Sequence, residues 1–106
     1  MKFINNIELC GIVGNTAITT IQGSDVVRFS LVVEQTYNSK DGIPVIESTW
    51  FNCTAWKSET IQDLSNIKKG AKLHLTGRVK LQRLLTPSEN ERYIWEVICK
   101  TIEVVD

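Results

Sequence analysis

The segment Thr49–Trp56, with the sequence TWFNCTAW, is the stretch that decides the fold of this chain. Its aromatic, apolar and small polar residues predict a β-strand. Because successive side chains of a strand point to opposite faces, Phe51, Cys53 and Ala55 share one face. That face is small and apolar, and it is predicted to be buried in a core.

The opposite face of the same segment carries two tryptophans, Trp50 and Trp56, separated by the small polar residues Asn52 and Thr54. Large rings on a polar face pack poorly into a core, but they can stack on nucleic-acid bases. The alternative is that one or both rings pack under a loop or in a subunit interface, because tryptophan is usually buried. The strand alone supports the two interpretations about equally.

Length and charge set the limits for the rest of the chain. The 106 residues form one domain, 1–106, and the apolar fraction of 42% is ordinary for a globular protein. The formal net charge is zero, but cations are concentrated between residues 57 and 83. A local excess of positive charge matters more than the total when the partner is a polyanion. The seven cations in this stretch are Lys57, Lys68, Lys69, Lys72, Arg78, Lys80 and Arg83, against Glu59 and Asp63.

Cysteine and histidine usage argues against a metal site. Cys10, Cys53 and Cys99 are far apart, no CxxC pair exists, and His74 is the single histidine. Neither a zinc site nor a disulfide framework is expected, and the thiols suit a reduced cytoplasmic protein. No signal for export and no apolar run of about 20 residues occurs, so no membrane is expected as a partner.

The sequence also argues against an enzyme and against a cofactor. The lone His74 cannot complete a set of catalytic serine, histidine and aspartate residues. Gly11 and Gly14 lie within a strand pattern and do not open a helix, so they do not form a phosphate-binding loop. Instead they predict a bend or bulge, as occurs where a strand curls around a small barrel.

The residues between the third and fourth strands predict a short helix. Ile61, Leu64 and Ile67 follow one another at helical spacing. Ser58 can cap the helix start with its hydroxyl oxygen, and Gly70 can adopt the left-handed conformation that ends a helix. Strand patterns surround this segment, at Phe3–Val13, Asp25–Glu34, Ala71–Gln82 and Glu91–Val105.

The resulting order is three strands, a helix and two strands. This is the order of the OB-fold, an all-β, five-stranded Greek-key barrel with one short helix between strands 3 and 4. The open face of that barrel binds oligonucleotides or oligosaccharides. The last strand is apolar on both faces in part, which predicts that it is covered on both sides, as by another subunit.

Several segments, in this order and spacing, resemble bacterial single-stranded DNA-binding proteins over about residues 5–105. VVRFSLVVEQTYNSKDG (Val26–Gly42) is similar to the second strand and following loop of that family. STWFNCTAWKSETIQDLSNIKKGAKLHLTGRV (Ser48–Val79) is similar to its third strand, helix and fourth strand. ERYIWEV (Glu91–Val97) is similar to the opening of its fifth strand.

The resemblance implies a protein that binds single-stranded DNA and usually forms homo-oligomers, with dimer and tetramer both open. The base-stacking aromatics of the family fall on Tyr37, Trp50 and Trp56. A fourth stacking position falls on Leu84, which cannot stack as tryptophan does, and a family tyrosine falls on His74. The phosphates are predicted to follow Arg28, Lys57, Lys72, Arg78, Lys80 and Arg83.

Three other side chains or pairs have competing interpretations. Lys68 and Lys69 are predicted to be charges at a helix end rather than DNA contacts. Arg28 has the alternative of pairing with an acidic residue of its own strand, Asp25 or Glu34. Trp95 and its neighbour Tyr93 are assigned to a buried interface in preference to DNA binding.

Typical family members continue into a flexible glycine-rich linker and an acidic tail that recruits replication and repair enzymes. This sequence stops at Asp106. Either the tail has been removed, or the chain is a tail-less relative, such as the primosomal replication protein N type or a variant on a mobile element. Replication proteins are therefore open as partners.

The predicted function is sequence-independent binding of single-stranded DNA in replication, repair or recombination. The alternative from another class is an OB-fold adaptor that acts mainly through protein–protein contacts. An RNA or oligosaccharide ligand is a further alternative, because stacking does not distinguish RNA from DNA. The salt dependence of nucleic-acid binding discriminates the first two.

Overall fold

The computed structural model describes residues 1–85, 87–88 and 90–105, and it is built from five strands. Each consecutive pair of strands except β3 and β4 is joined as an antiparallel hairpin. The strands are β1 (Ile7–Ile21), β2 (Ser24–Asn38), β3 (Pro44–Trp56), β4 (Lys72–Leu85) and β5 (Glu91–Val104).

The strands close into a barrel in the order β1-β2-β3-β5-β4. β3 and β5 pair in parallel, with Cys53 beside Val97 and Thr54 beside Ile98. β4 then returns to pair with the first half of β1, and this pairing closes the barrel. The prediction of an all-β, five-stranded OB-fold is confirmed.

β1 changes partner along its length, and a bend makes this possible. Its first half pairs with β4 and its second half with β2, and the register shifts between Val13 and Thr16. The bend predicted from Gly11 and Gly14 is therefore confirmed. At Gly11 a side chain would overlap the carbonyl oxygen of Val32, so glycine allows the two strands to approach there.

The core lies inside the barrel and takes alternate residues from every strand. This is the expected result for strands with one buried face. The burial of positions 53 and 55 predicted from the opening segment is confirmed, and Phe51 is partly buried against the same core. The core residues on the strands are Leu9, Val13, Val27, Phe29, Leu31, Cys53, Ala55, Leu73, Leu75, Val97 and Cys99.

The predicted helix between β3 and β4 is wrong. The connecting segment, residues 57–71, contains bends and turns and no helix. Its apolar spacing nevertheless predicted burial correctly, because Ile61 and Ile67 are each only 4% exposed and Leu64 packs partly against the core. The segment thus has an irregular backbone, and its two buried isoleucines pack into the core of the barrel.

Local side-chain hydrogen bonds explain why this segment is not helical. The Ser58 hydroxyl accepts from the backbone N–H of Ile61 at 3.1 Å, as a helix cap would, but the Ile61 carbonyl also accepts from the Ser58 N–H at 2.9 Å. Asp63 accepts from both the N–H and the hydroxyl of Ser65. Serine and aspartate offer the backbone such alternatives to helix hydrogen bonds, so they disfavour helix interiors.

Two hairpins extend past the part of the barrel that encloses the core. β2 and β3 stay paired out to Asn38 and Pro44, which is longer than the strand predicted from the pattern. Tyr37 and Ile46, near the end of this hairpin, are exposed. Along one face of β5, Val97 and Cys99 are buried while Trp95 is exposed, and on the other face Ile94 and Ile98 are partly buried.

Replacing Ile67 by alanine should lower the free energy of unfolding by about 2–5 kcal/mol, because it removes a buried side chain and leaves a cavity. The control is Lys69→Ala in the same segment, since Lys69 is exposed. Urea unfolding monitored by tryptophan fluorescence measures both. Equal stabilities of the two variants would show that the segment does not contribute to the core.

Candidate nucleic-acid interface

β3 carries the two tryptophans on the outer face that it shares with β2, and two pairs of polar side chains lie between them. Trp50 is 61% exposed and Trp56 is 36% exposed, so neither ring belongs to the core. An exposed aromatic pair on one sheet face is the arrangement that base stacking requires. The cross-strand neighbours are Trp50 and Val32, Asn52 and Ser30, Thr54 and Arg28, and Trp56 and Val26.

The bulge in β1 provides the space for the ring of Trp50. An added Cβ atom on Gly14 would lie 2.7 Å from Cζ3 of Trp50 and 2.7 Å from the Ser30 hydroxyl oxygen. That hydroxyl accepts a hydrogen bond of 2.9 Å from the backbone N–H of Asn15. The glycine and the hydroxyl therefore set where the indole lies against β1.

Trp56 ends β3 and is more covered than Trp50. It lies opposite Val26, which is fully buried although it belongs to the outer face. The next residue, Lys57, donates its backbone N–H to the carbonyl oxygen of Asp25 at 3.1 Å. Trp56 is therefore partly covered and partly exposed, and it is intermediate between the two sequence interpretations.

Arg28 lies in the middle of this face. Its neighbour across the sheet is Thr54 on β3, and it is exposed. No ion pair joins Arg28 to Asp25, Glu34 or any other acidic residue of the described part of the chain. Its guanidinium is therefore available to a phosphate.

Lys57 lies near Asp63 of the irregular segment. Hydrogen bonds from the hydroxyl and backbone N–H of Ser65 hold the pKa of the Asp63 carboxyl below its ordinary value, and the charge of Lys57 adds to this. Asp63 thus stays ionised and attracts Lys57, which reduces the positive potential that Lys57 offers to DNA.

The cations of β4 lie on a different wall of the barrel. Lys72 and His74 are beside Ile12 and Cys10 of β1. β1 separates β4 from β2 on one side, and β5 separates it from β3 on the other. The structure therefore groups Trp50, Trp56, Arg28 and Lys57, and leaves the β4 cations apart from them.

His74, Arg83 and the remaining predicted contacts have varied surroundings. His74 Nε2 lies 2.7 Å from Glu8 Oε2, so its ring is held by a carboxylate. Arg83 forms an ion pair with Glu91 near the end of the β4–β5 hairpin. Arg78 and Lys80 are exposed beside Ile98 and Glu96 of β5, Tyr37 is exposed near the end of the β2–β3 hairpin, and Leu84 is exposed beside Arg92.

Two adjoining cavities open on this side of the barrel. The first, about 430 Å³, is lined by both Trp50 and Trp95. The second, about 350 Å³, is lined by Arg28 and by Thr54, whose buried hydroxyl makes no hydrogen bond to any described residue. Sequence reasoning assigned Trp95 to a subunit interface, and it did not place the side chains common to both cavities, Asn52, Ile94 and Glu96, in the candidate site.

The buried cysteines do not supply a reactive group. A hydrogen bond with the Cys99 thiol and burial raise the pKa of the Cys53 thiol far above its ordinary value, so it stays protonated. Within the described residues no three metal-ligating side chains cluster. No helix that could cross a bilayer is found there either.

Comparison with known proteins identifies the family. The model of the "Single-strand binding protein family" matches residues 4–105. The chain belongs to the single-strand binding protein family. This confirms the resemblance drawn from the strand and turn motifs.

Relatives of this family are similar to the chain at low identity over nearly its whole length. Single-stranded DNA-binding protein 1 of Streptococcus pyogenes serotype M18 is 26% identical over 106 residues, covering 97% of this chain and 79% of the relative. Single-stranded DNA-binding protein 2 of the same strain is 28% identical, and 63% of its length is covered. The Enterococcus faecalis single-stranded DNA-binding protein is 25% identical, and the chain spans 55% of it.

Solved structures show the same fold. A Plasmodium falciparum SSB in complex with ssDNA matches with a TM-score of 0.84 at 22% identity, covering 100% of this chain and 98% of that one. A deletion mutant of the single-stranded DNA binding protein from Thermus aquaticus matches with a TM-score of 0.76 at 14% identity, covering 97% and 51%.

Thiol labelling tests the burial of the cysteines. At pH 8 a disulfide reagent should modify only the exposed Cys10 in the folded protein, because Cys53 and Cys99 are buried. All three should react in guanidinium, and Cys10→Ser should remove the signal of the folded protein. Prompt modification of all three thiols in the folded state would contradict the closed barrel.

Proposed function

We propose that this chain binds single-stranded DNA without strong base preference, as a non-catalytic protein of replication, repair or recombination. The observation that carries the proposal is an exposed face, in a member of this family, that joins Trp50 and Trp56 with Arg28, which pairs with no described acidic residue. Rings stack on any base, while the guanidinium contacts a phosphate. Tyr37, exposed farther along the β2–β3 hairpin, is assigned a further stacking contact.

Stacking contributes more to the affinity than charge does. Each stacked base contributes about 1–3 kcal/mol by alanine substitution. Two phosphate contacts, from Arg28 and Lys57, give a salt slope of about 1.4, so affinity falls about sevenfold, roughly 1 kcal/mol, between about 50 and 200 mM salt. A net charge of zero adds no long-range attraction. The rings therefore set the affinity, and the cations place the backbone.

The cations on the other walls contribute only to a strand that continues around the barrel. Lys72, Arg78 and Lys80 belong to this second group, and we assign phosphate contacts to them on longer oligonucleotides. His74 and Arg83 also belong to it, but each already faces a carboxylate. Short oligonucleotides should therefore depend on Arg28 and Lys57, and long ones on the whole set.

A homo-oligomer, dimer or tetramer, is part of the proposal. Ile12 and Val104 are exposed apolar side chains on the two strands that flank β4. An oligomer interface would cover such side chains. The three free cysteines support a cytoplasmic location. The adaptor alternative is not favoured, because the relatives are named for DNA binding.

Titration of intrinsic tryptophan fluorescence with oligo-dT tests the proposal. Quenching that saturates and weakens with salt is expected, because stacked bases quench the exposed indoles. A folded sample whose fluorescence and whose affinity for labelled oligo-dT show no response at low salt would refute DNA binding.

Arg28→Gln should reduce the salt slope for a short oligo-dT by about 0.7, the value for one phosphate contact on a single strand. Lys69→Gln removes the same charge from the irregular segment, away from the aromatic face, and should leave the slope unchanged. Fluorescence titrations at four salt concentrations measure both. Equal slopes for the two variants would remove Arg28 from the phosphate path.

Trp50→Ala should weaken oligo-dT binding by about 5- to 150-fold, which corresponds to the loss of one stacked base. The unfolding midpoint should change little, since the ring is 61% exposed. Ile18→Ala, which truncates another exposed apolar side chain, should affect neither quantity. Anisotropy of a labelled oligonucleotide measures the affinity, and a large loss of stability in Trp50→Ala would instead assign the ring a packing role.

A further inference from the structure

Trp95 is a large exposed side chain with no role in the DNA contacts proposed above. It lies on β5 opposite Leu81, and 64% of its surface is exposed. Two residues further along the same face, Val97 is buried in the core. The indole therefore lies just past the end of the core, where the β4–β5 hairpin leaves the barrel.

The parallel pairing of β3 with β5 brings Trp95 to the same cleft as Trp50. Both rings line the cavity of about 430 Å³, whose other apolar side chains include Phe51 and Val79. This volume is within the range of small-ligand sites, and such sites are mostly apolar with a few polar groups. A flat aromatic ligand in this cleft would lie beside both indoles, since both line it.

Two polar side chains of this cleft suit the edge of a base. The amide of Asn52 offers a donor and an acceptor. The half-buried Glu96 carboxylate makes no hydrogen bond or ion pair with any described residue. A carboxylate repels phosphate but accepts from the N–H groups of a base. The Glu96 carboxylate thus disfavours a phosphate beside it and can accept a hydrogen bond from a base.

The second cavity, which shares Asn52, Ile94 and Glu96 with the first, supplies the complementary groups. The hydroxyl of Thr54 is buried, with the residue 3% exposed, and it is unpartnered among the described residues. An unsatisfied buried hydroxyl is costly and unusual in a folded protein. Arg28 lines the same cavity and forms no ion pair with any described residue. Both groups can hydrogen-bond to the phosphate or the polar edge of an adjoining nucleotide.

We propose that the cleft between Trp50 and Trp95 holds one nucleobase of single-stranded DNA, and that Trp95 is a stacking residue in addition to Tyr37, Trp50 and Trp56. The strand continues from this cleft over Arg28 and the Thr54 hydroxyl. The inference rests on the proposed function and adds a residue and a ligand position to it. It also replaces the assignment of Trp95 to a subunit interface.

A protein whose single tryptophan is Trp95 tests the proposal directly. The chain has three tryptophans, so Trp50→Phe combined with Trp56→Phe leaves Trp95 as the only indole, while phenylalanine preserves weaker stacking. Saturation with oligo-dT, verified by anisotropy of a labelled strand, should quench this indole. An oligonucleotide of the same length that carries abasic sites keeps its phosphates, and it should cause little quenching at equal occupancy.

Trp95→Ala provides a second, independent measurement. It should weaken oligo-dT binding by about 5- to 150-fold, as for one stacked base. Leu81→Ala is the matched control, since it truncates the exposed apolar neighbour directly opposite and does not line the cleft. Its affinity should equal that of the unmodified protein, and sedimentation should give all three proteins the same mass.

Three outcomes would contradict the base site, and each leads to a different conclusion. Unchanged Trp95 fluorescence at full oligo-dT occupancy would overturn the base site and leave the proposed function standing. Loss of affinity together with a smaller assembly mass, in both Trp95→Ala and Leu81→Ala, would overturn it in favour of a subunit interface. Absence of oligo-dT binding by the unmodified protein would overturn the proposed function, and this inference with it.

Discussion

The barrel closes because one bent strand, β1, pairs with both β2 and β4. β1 reaches β4 with its first half and β2 with its second, and the register shift between Val13 and Thr16 lets it turn between them. Backbones approach so closely at Gly11 and Gly77 that a side chain would overlap a carbonyl oxygen of the neighbouring strand. Closure removes the free sheet edges that a flat five-stranded sheet would expose, and it fixes which faces point inward.

Closure of the barrel also separates the exposed aromatic rings and Arg28 from the cations of β4. The interior takes the apolar alternate residues, so the exposed rings must lie outside, and the bulge that bends β1 leaves room at Gly14 for the indole of Trp50. Because each strand has one outer face, the cations of β4 face a different direction from Arg28 on β2. A ligand that uses both sets must curve around the barrel, as a flexible single strand can and a rigid duplex cannot.

Much of the architecture and part of the site were predictable from local patterns. Alternation along β2 and β4 identified the buried face, and the parity of Thr49–Trp56 placed Trp50 and Trp56 outside. The helix failed although its apolar positions were right, because Ser58 and Asp63 satisfy backbone N–H groups in turns. Spacing at intervals of three predicts burial of one face of a segment, and it does not by itself decide the backbone conformation.

Sequence patterns alone were enough for the succession of strands along the chain, since alternation and turn residues act between near neighbours, and the motifs of those strands were enough for the OB-fold class and the family. The tertiary structure was needed to show that Trp95 shares a cleft with Trp50, and that Glu96 and the Thr54 hydroxyl lie beside it without a hydrogen-bond partner among the described residues. These contacts depend on the parallel pairing of β3 with β5, strands about 40 residues apart in the chain. Neither periodicity nor composition encodes such a pairing, because it is set by closure of the whole barrel.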